Sequence, residues 1–194
     1  MNRTLLVAAV AALALQAGRA NAQAFEAGDN ILGFGVGAGG SYRVYNAYSG
    51  SSPVIMAHYE HALGVKAGPG VIGVGAFLGY KTVSYHYDIY GPYYYDYRWN
   101  YLQFGARAAY HWNAWHKIEK LDTYAGVLVG ASIVTRTDNS NYPYYNYAYL
   151  GSRGSGVRHD AFAGARWYFS NAFAAWGEVG YGLSNISVGL NFKF

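Results

Sequence analysis

The closing nine residues of this chain, Ile186 to Phe194 (I-S-V-G-L-N-F-K-F), alternate without a break between large apolar and small or polar side chains. A period of two suits a β-strand whose faces meet different surroundings, and no amphipathic helix can use it. The pattern recurs upstream. Leu32, Phe34, Val36 and Ala38 alternate with Gly33, Gly35 and Gly37, and Ile72, Val74, Ala76, Leu78 and Tyr80 with Gly73, Gly75, Phe77 and Gly79. Ala125, Val127, Val129, Ala131 and Ile133 share a third apolar face, opposite Gly126 and Gly130.

A soluble sandwich would bury its large side chains between two sheets and coat its outside with charge. Only 12% of these residues are charged, while 26 are glycine. Apolar faces turned to lipid and glycine faces lining a narrow lumen account for both facts. The expected fold is therefore all-β: an eight-stranded antiparallel up-and-down transmembrane β-barrel. Its strands are predicted at 30–41, 53–63, 70–84, 98–111, 121–136, 155–169, 172–183 and 185–194. An even number puts both ends on the periplasmic side. The outer loops then span 42–52, 85–97 and 137–154, with a tight Ser184-Asn185 turn. The inner turns are Gly64 to Pro69, Trp112 to Lys120, which is long for its side, and Ser170-Asn171.

Residues 1–22 read as a cleaved secretory signal peptide. Arg3 supplies the positive start, Leu5 to Leu15 the apolar run, and Ala20-Asn21-Ala22 the small-x-small cleavage site. The run is shorter than the roughly 20 apolar residues a helical span needs. Residues 23–194 form the barrel. Loss of Arg3 and Arg19 lowers the formal charge by two from +4, so no nucleic-acid partner is expected. The chain has no cysteine, which excludes disulfides, thiolate metal sites and a lipidated N-terminal cysteine.

In W-G-E-V-G-Y-G from Trp176 to Gly182, V-G-L-N-F-K-F from Val188 to Phe194 and L-D-T-Y-A-G-V-L-V-G from Leu121 to Gly130, the chain resembles the small outer-membrane β-barrels of the OmpA/OmpX kind. The resemblance implies location in the cell outer membrane and contact with its lipid and lipopolysaccharide. It also implies that the outer-membrane assembly machinery reads the terminal strand, with Tyr181, Leu190, Phe192 and Phe194 as the signal.

By parity Glu60, Arg107, Arg166 and Glu178 all face the lumen at similar depth, with His58, Arg158 and Asp160 above them. An arginine inside eight strands needs space and a countercharge. A structural network of crosslinked charges is the expected role, ahead of a proton or ion relay. Catalysis needs a base within about 3 Å of its nucleophile's proton. His159 is placed near the outer leaflet but faces out, while Ser132 faces in. No catalytic residue is assigned. His58 and Glu60 share a face without a third ligand, so no metal is assigned, and no cofactor is expected.

Fifteen of the 22 tyrosines fall in the three expected outer loops. Tyrosine offers rigid contact area with a hydrogen-bonding tip, and the intervening Asn, Ser and Gly adapt to a partner. Tyr93, Tyr94, Tyr95, Tyr97, Tyr142, Tyr144, Tyr145 and Tyr147 are the candidate recognition residues for an external glycan or protein. The alternative use of tyrosine is β-propensity and anchoring in the outer leaflet. The expected function is a non-enzymatic monomeric barrel acting in envelope integrity or surface adhesion. Porin-like passage of protons or small molecules is the alternative, and lipid modification the second alternative.

Overall fold

The computed structural model describes residues 24–41, 50–89, 91–141 and 154–194. The expected signal segment, residues 1–22, lies outside them. The described strands are β1 (Asn30–Ala38), β2 (Gly50–Ser51), β3 (Val54–Ala67), β4 (Gly70–Asp88), β5 (Tyr94–His111), β6 (Leu121–Asp138), β7 (Gly156–Tyr168), β8 (Phe173–Tyr181) and β9 (Ile186–Lys193). From β3 onward each strand is antiparallel to the next, and β1 pairs with both β3 and β9, so the sheet closes on itself. β2 pairs only with β4 and continues the line of β3, which leaves eight strands in the wall. The break lies at Ser52 and Pro53, because proline has no N–H for the ladder. Ser52 compensates: its N–H donates to the Thr82 carbonyl at 2.8 Å, and its Oγ accepts from the Thr82 N–H at 2.9 Å.

The wall is inside-out relative to a water-soluble domain. Phe34, Ile55, Leu78, Phe104, Val127, Val129, Val179, Ile186, Val188 and Leu190 lie exposed on its outer face. Inside, the side chains form three layers. At the end where β1 begins and β9 stops, Phe25, Ile31, Ala62, Tyr168 and Ala174 make an apolar floor. Next comes a layer of buried charges on β3, β5, β6 and β7, with a partly exposed one on β8. Above it Val54, Met56, Val83, Tyr97, Trp99, Tyr101, Trp176 and Leu183 pack as a largely aromatic cluster.

Several element ends differ from the sequence reading. β1 stops at Ala38, because Gly39 and Gly40 take φ of 76° and 111° and turn the chain onto Asn185 and Gly182. β3 runs on to Ala67, which reduces the expected 64–69 turn to Gly68-Pro69. Its register irregularity falls between Ala62 and Lys66, past Glu60, so the facing of Glu60 is unaffected. The largest correction concerns the second outer loop. β4 and β5 stay paired through Tyr85↔Tyr97, Tyr87↔Tyr95 and Asp88↔Tyr94, so the expected 85–97 loop is a hairpin with a short tip. Cross-strand tyrosine pairs stabilise a ladder, and here they extend it above the rest of the wall.

Glycine sets how closely β3 and β4 coil together. A Cβ on Gly75 would lie 1.8 Å from the Tyr59 carbonyl oxygen, a backbone atom that cannot swing aside. Gly75→Val is expected to cost about 3 kcal/mol. Gly177→Ala should be neutral, since the nearest atom would lie at 3.8 Å. Denaturant unfolding of the refolded barrel checks both, and equal stability of the two variants would contradict this account.

Candidate functional site in the lumen and at the rim

Strand alternation turns Glu60 (β3), Arg107 and His111 (β5), Asp122 and Tyr124 (β6), Arg166 (β7) and Glu178 (β8) into the lumen. Glu60 is the hub. Arg166 Nη2 donates to its Oε2 at 2.5 Å, His111 Nε2 meets its Oε1 at 2.5 Å, and Arg107 Nη2 stands 3.8 Å from Oε2. Asp122 joins the other sides of the same groups, 2.9 Å from His111 Nδ1 and 3.2 Å from Arg166 Nη1. Asn113 Nδ2 donates to Asp122 at 3.0 Å. Glu178 accepts from Arg107 Nη2 at 2.8 Å and from the Tyr124 hydroxyl at 2.9 Å.

Both ring nitrogens of His111 face carboxylate oxygens, so the ring can donate from both only as an imidazolium. In that state Arg107, Arg166 and His111 balance Glu60, Asp122 and Glu178. Aromatic faces complete the shell: the Arg107 guanidinium lies 4.3 Å from the Phe162 ring centre, and that of Arg166 4.4 Å from Tyr124. Phe25 covers the layer from the terminal end, 4.2 Å from the His111 ring and 2% exposed. Glycine supplies volume. A Cβ on Gly73 would stand 2.1 Å from Glu60 Oε1, and one on Gly164 would stand 2.7 Å from Glu178 Cγ.

The structure thus brings Glu60, Arg107, Arg166 and Glu178 into one layer with His111, Asp122 and Tyr124, which the sequence reading did not assign to it. Their parity was legible: His111 is four residues from Arg107, and Asp122 and Tyr124 share the face of Gly126. Phe25 gave no such signal, because it precedes the first strand. Higher in the lumen, Asp160 accepts from Gln103 Nε2 at 2.7 Å, and His58 is buried edge-on to Trp176, with ring centres 5.0 Å apart. His159 pairs with Val129 and is exposed, whereas Ser132 pairs with Gly156 and is buried, so the two lie on opposite sides of the wall.

At the rim, Tyr93 is exposed at the hairpin tip, and Tyr94 and Tyr95 are half-buried. Tyr97 requires correction as a surface recognition residue: it is 1% exposed. Odd-numbered residues of β5 point inward, so Tyr97 stacks between Tyr85 at 6.3 Å and Tyr95 at 6.2 Å, with the Arg136 guanidinium 4.5 Å from its ring centre. Tyr142, Tyr144, Tyr145 and Tyr147 lie outside the described residues. Tyr181, Leu190, Phe192 and Phe194 all face outward. Phe192 sits 5.2 Å from Phe173 and 5.6 Å from Phe194, whose backbone exchanges hydrogen bonds with Asn30.

No protein-family model matches the chain, and no curated relative matches it. Among solved structures the chain is similar to small outer-membrane β-barrels. One is a de novo designed transmembrane β-barrel, with 16% identity, a TM-score of 0.44, and coverage of 88% of this chain and 98% of that one. The N-terminal β-barrel domain of Pseudomonas aeruginosa OprF has 17% identity and a TM-score of 0.40, over 87% and 98% of the two chains. The Yersinia pestis outer membrane protein Ail, in a phospholipid bilayer nanodisc, has 14% identity and a TM-score of 0.44, over 86% and 99%.

Removing one partner of a buried charge pair strands the others in a dry interior, at a cost of about 3–5 kcal/mol. Glu60→Ala is expected to lose that much, because it removes one of the two carboxylates that Arg166 and His111 share. Glu178→Gln should lose less, since its side chain is 11% exposed and Gln can still accept from Tyr124. Urea titration in lipid vesicles measures both. A Glu60→Ala loss below about 1 kcal/mol would remove Glu60 from the centre of the network.

Proposed function

We propose that this protein is an integral outer-membrane barrel with a plugged lumen, oriented with its termini in the periplasm, whose tyrosine-bearing β4–β5 hairpin meets partners outside the cell. The observation that carries the plugged lumen is the charge layer, where Glu60 and Asp122 each engage cations from β5 and β7 across the interior. An eight-stranded wall encloses little more than its own side chains. The exposed apolar outer face supports residence in lipid. Non-enzymatic action fits the separation of His159 from Ser132 by the wall.

The described part of the recognition surface narrows to the hairpin tip, where Tyr87 and Tyr93 are exposed beside Ile89. Tyr85, Tyr95 and Tyr97 act beneath them as a stacked support. An external glycan ring or protein surface fits exposed tyrosine faces. Tyr181, Leu190, Phe192 and Phe194 are proposed as the assembly signal, on the outward face of the last strands.

Four measurements test this reading. The refolded chain, electrophoresed heated and unheated, should show a mobility shift yet stay silent in a planar bilayer; discrete openings would instead favour porin-like transport. Tyr87→Ser with Tyr93→Ser should lower surface adhesion at least several-fold while the shift persists. Tyr97→Ala should destabilise the barrel by about 3–5 kcal/mol. Unchanged adhesion in the double variant would remove the recognition role.

A further inference from the structure

The turn between β5 and β6, residues 112–120, is long for the end where β1 begins and β9 stops, where the other described connections are Gly68-Pro69 and 169–172. Apart from Asn113, which donates to Asp122, nothing in the lumen or at the rim uses it. It is nonetheless tightly built. Trp112 N–H donates to the Thr123 carbonyl at 2.8 Å, and Thr123 N–H donates to Asn113 Oδ1 at 2.7 Å. Trp115 Nε1 donates to Thr123 Oγ1 at 3.1 Å, and the Ile118 N–H to His116 Nδ1 at 3.1 Å. Lys117 holds φ at 55°, a left-handed conformation that a side chain with a Cβ adopts only when its surroundings impose it.

These bonds display apolar groups. Trp112 is 51% exposed, Trp115 61% and Ile118 43%. Thr123 shares the outward parity of Ala125 and Val127, so its bond to Trp115 places that indole against the outer side of β6. Leu121, one outward step lower, pairs with Trp167, which is also exposed. The turn therefore continues the apolar belt at its lower margin. It adds two exposed lysines, Lys117 and Lys120, against a single carboxylate, Glu119. Among the described residues no ion pair engages either lysine.

Indoles at an apolar margin with cations beside them match one environment, the headgroup layer of a bilayer carrying negative charge. Resting on the membrane reading above, we propose that the 112–120 turn is a lipid-binding foot. Its indoles and Ile118 enter the interface of the leaflet nearest the termini, and Lys117 and Lys120 pair with the phosphates of anionic phospholipids.

The test uses the full barrel refolded into mixed vesicles of phosphatidylcholine and phosphatidylglycerol in which one lipid or the other carries brominated acyl chains, in a Trp167→Phe background. Trp99 and Trp176 are buried in the lumen, so lipid quenching there reports Trp112 and Trp115. Quenching should favour phosphatidylglycerol. Lys117→Gln and Lys120→Gln should each reduce that preference by up to about fivefold, the factor for one lysine at an anionic surface, and Lys→Arg should retain it. Equal quenching by the two lipids, or a preference that survives both Gln substitutions, overturns the foot while a persisting heat-dependent mobility shift leaves the membrane reading intact. Loss of the shift together with no quenching by either lipid overturns both.

Discussion

Two guanidinium groups stand in the dry interior of an eight-stranded wall, and everything at that depth is arranged to keep them there. Arg166 is fully buried and Arg107 nearly so. Neither could remain without countercharge, because stripping water from an isolated ion costs several kcal/mol even after relaxation. Glu60, Asp122 and Glu178 supply it from three other strands, and His111 links two of them through both ring nitrogens. The network therefore ties β3, β5, β6, β7 and β8 together across the lumen, where backbone hydrogen bonds cannot reach.

That arrangement dictates its neighbours. Long charged side chains leave no room for a Cβ opposite them, so Gly73 and Gly164 occupy the facing positions. Salt bridges of this kind gain strength where water is excluded, and the layers above and below bury Glu60, Asp122 and Arg166 completely. Phe25 and Tyr168 lie beneath; Met56, Trp176 and Leu183 lie above. The glycine-rich inner face and the aromatic interior are thus two sides of one requirement.

The outer end follows a different logic. Tyrosine there serves the ladder first, since alternate residues of β5 turn inward and stack from Tyr95 to Trp99. Among the described residues there, Tyr87 and Tyr93 lie past the last lumen contact and stay exposed. At the opposite end the chain spends polar side chains on shaping the 112–120 turn, which leaves its indoles and lysines outside.

Alternation by itself determined the strands, the closed barrel and the inward facing of Glu60, Arg107, Arg166 and Glu178, because period-two parity is a local property of the backbone. It also held the facing of His111 and Asp122, whose place in the network was not drawn from it. Composition marked the tyrosines but not their exposure: Tyr93 and Tyr97 read alike in one dimension, and only pairing across the hairpin separated a tip residue from a buried one. Which nitrogen meets which oxygen was decided by inter-strand register, since partners such as Glu60 and Arg166 are over a hundred positions apart. Phe25 belongs to the tertiary structure alone. It lies outside any strand, and its burial follows from Gly28 and Asp29 bonding to Ala62 and folding the leading segment across the mouth of the barrel.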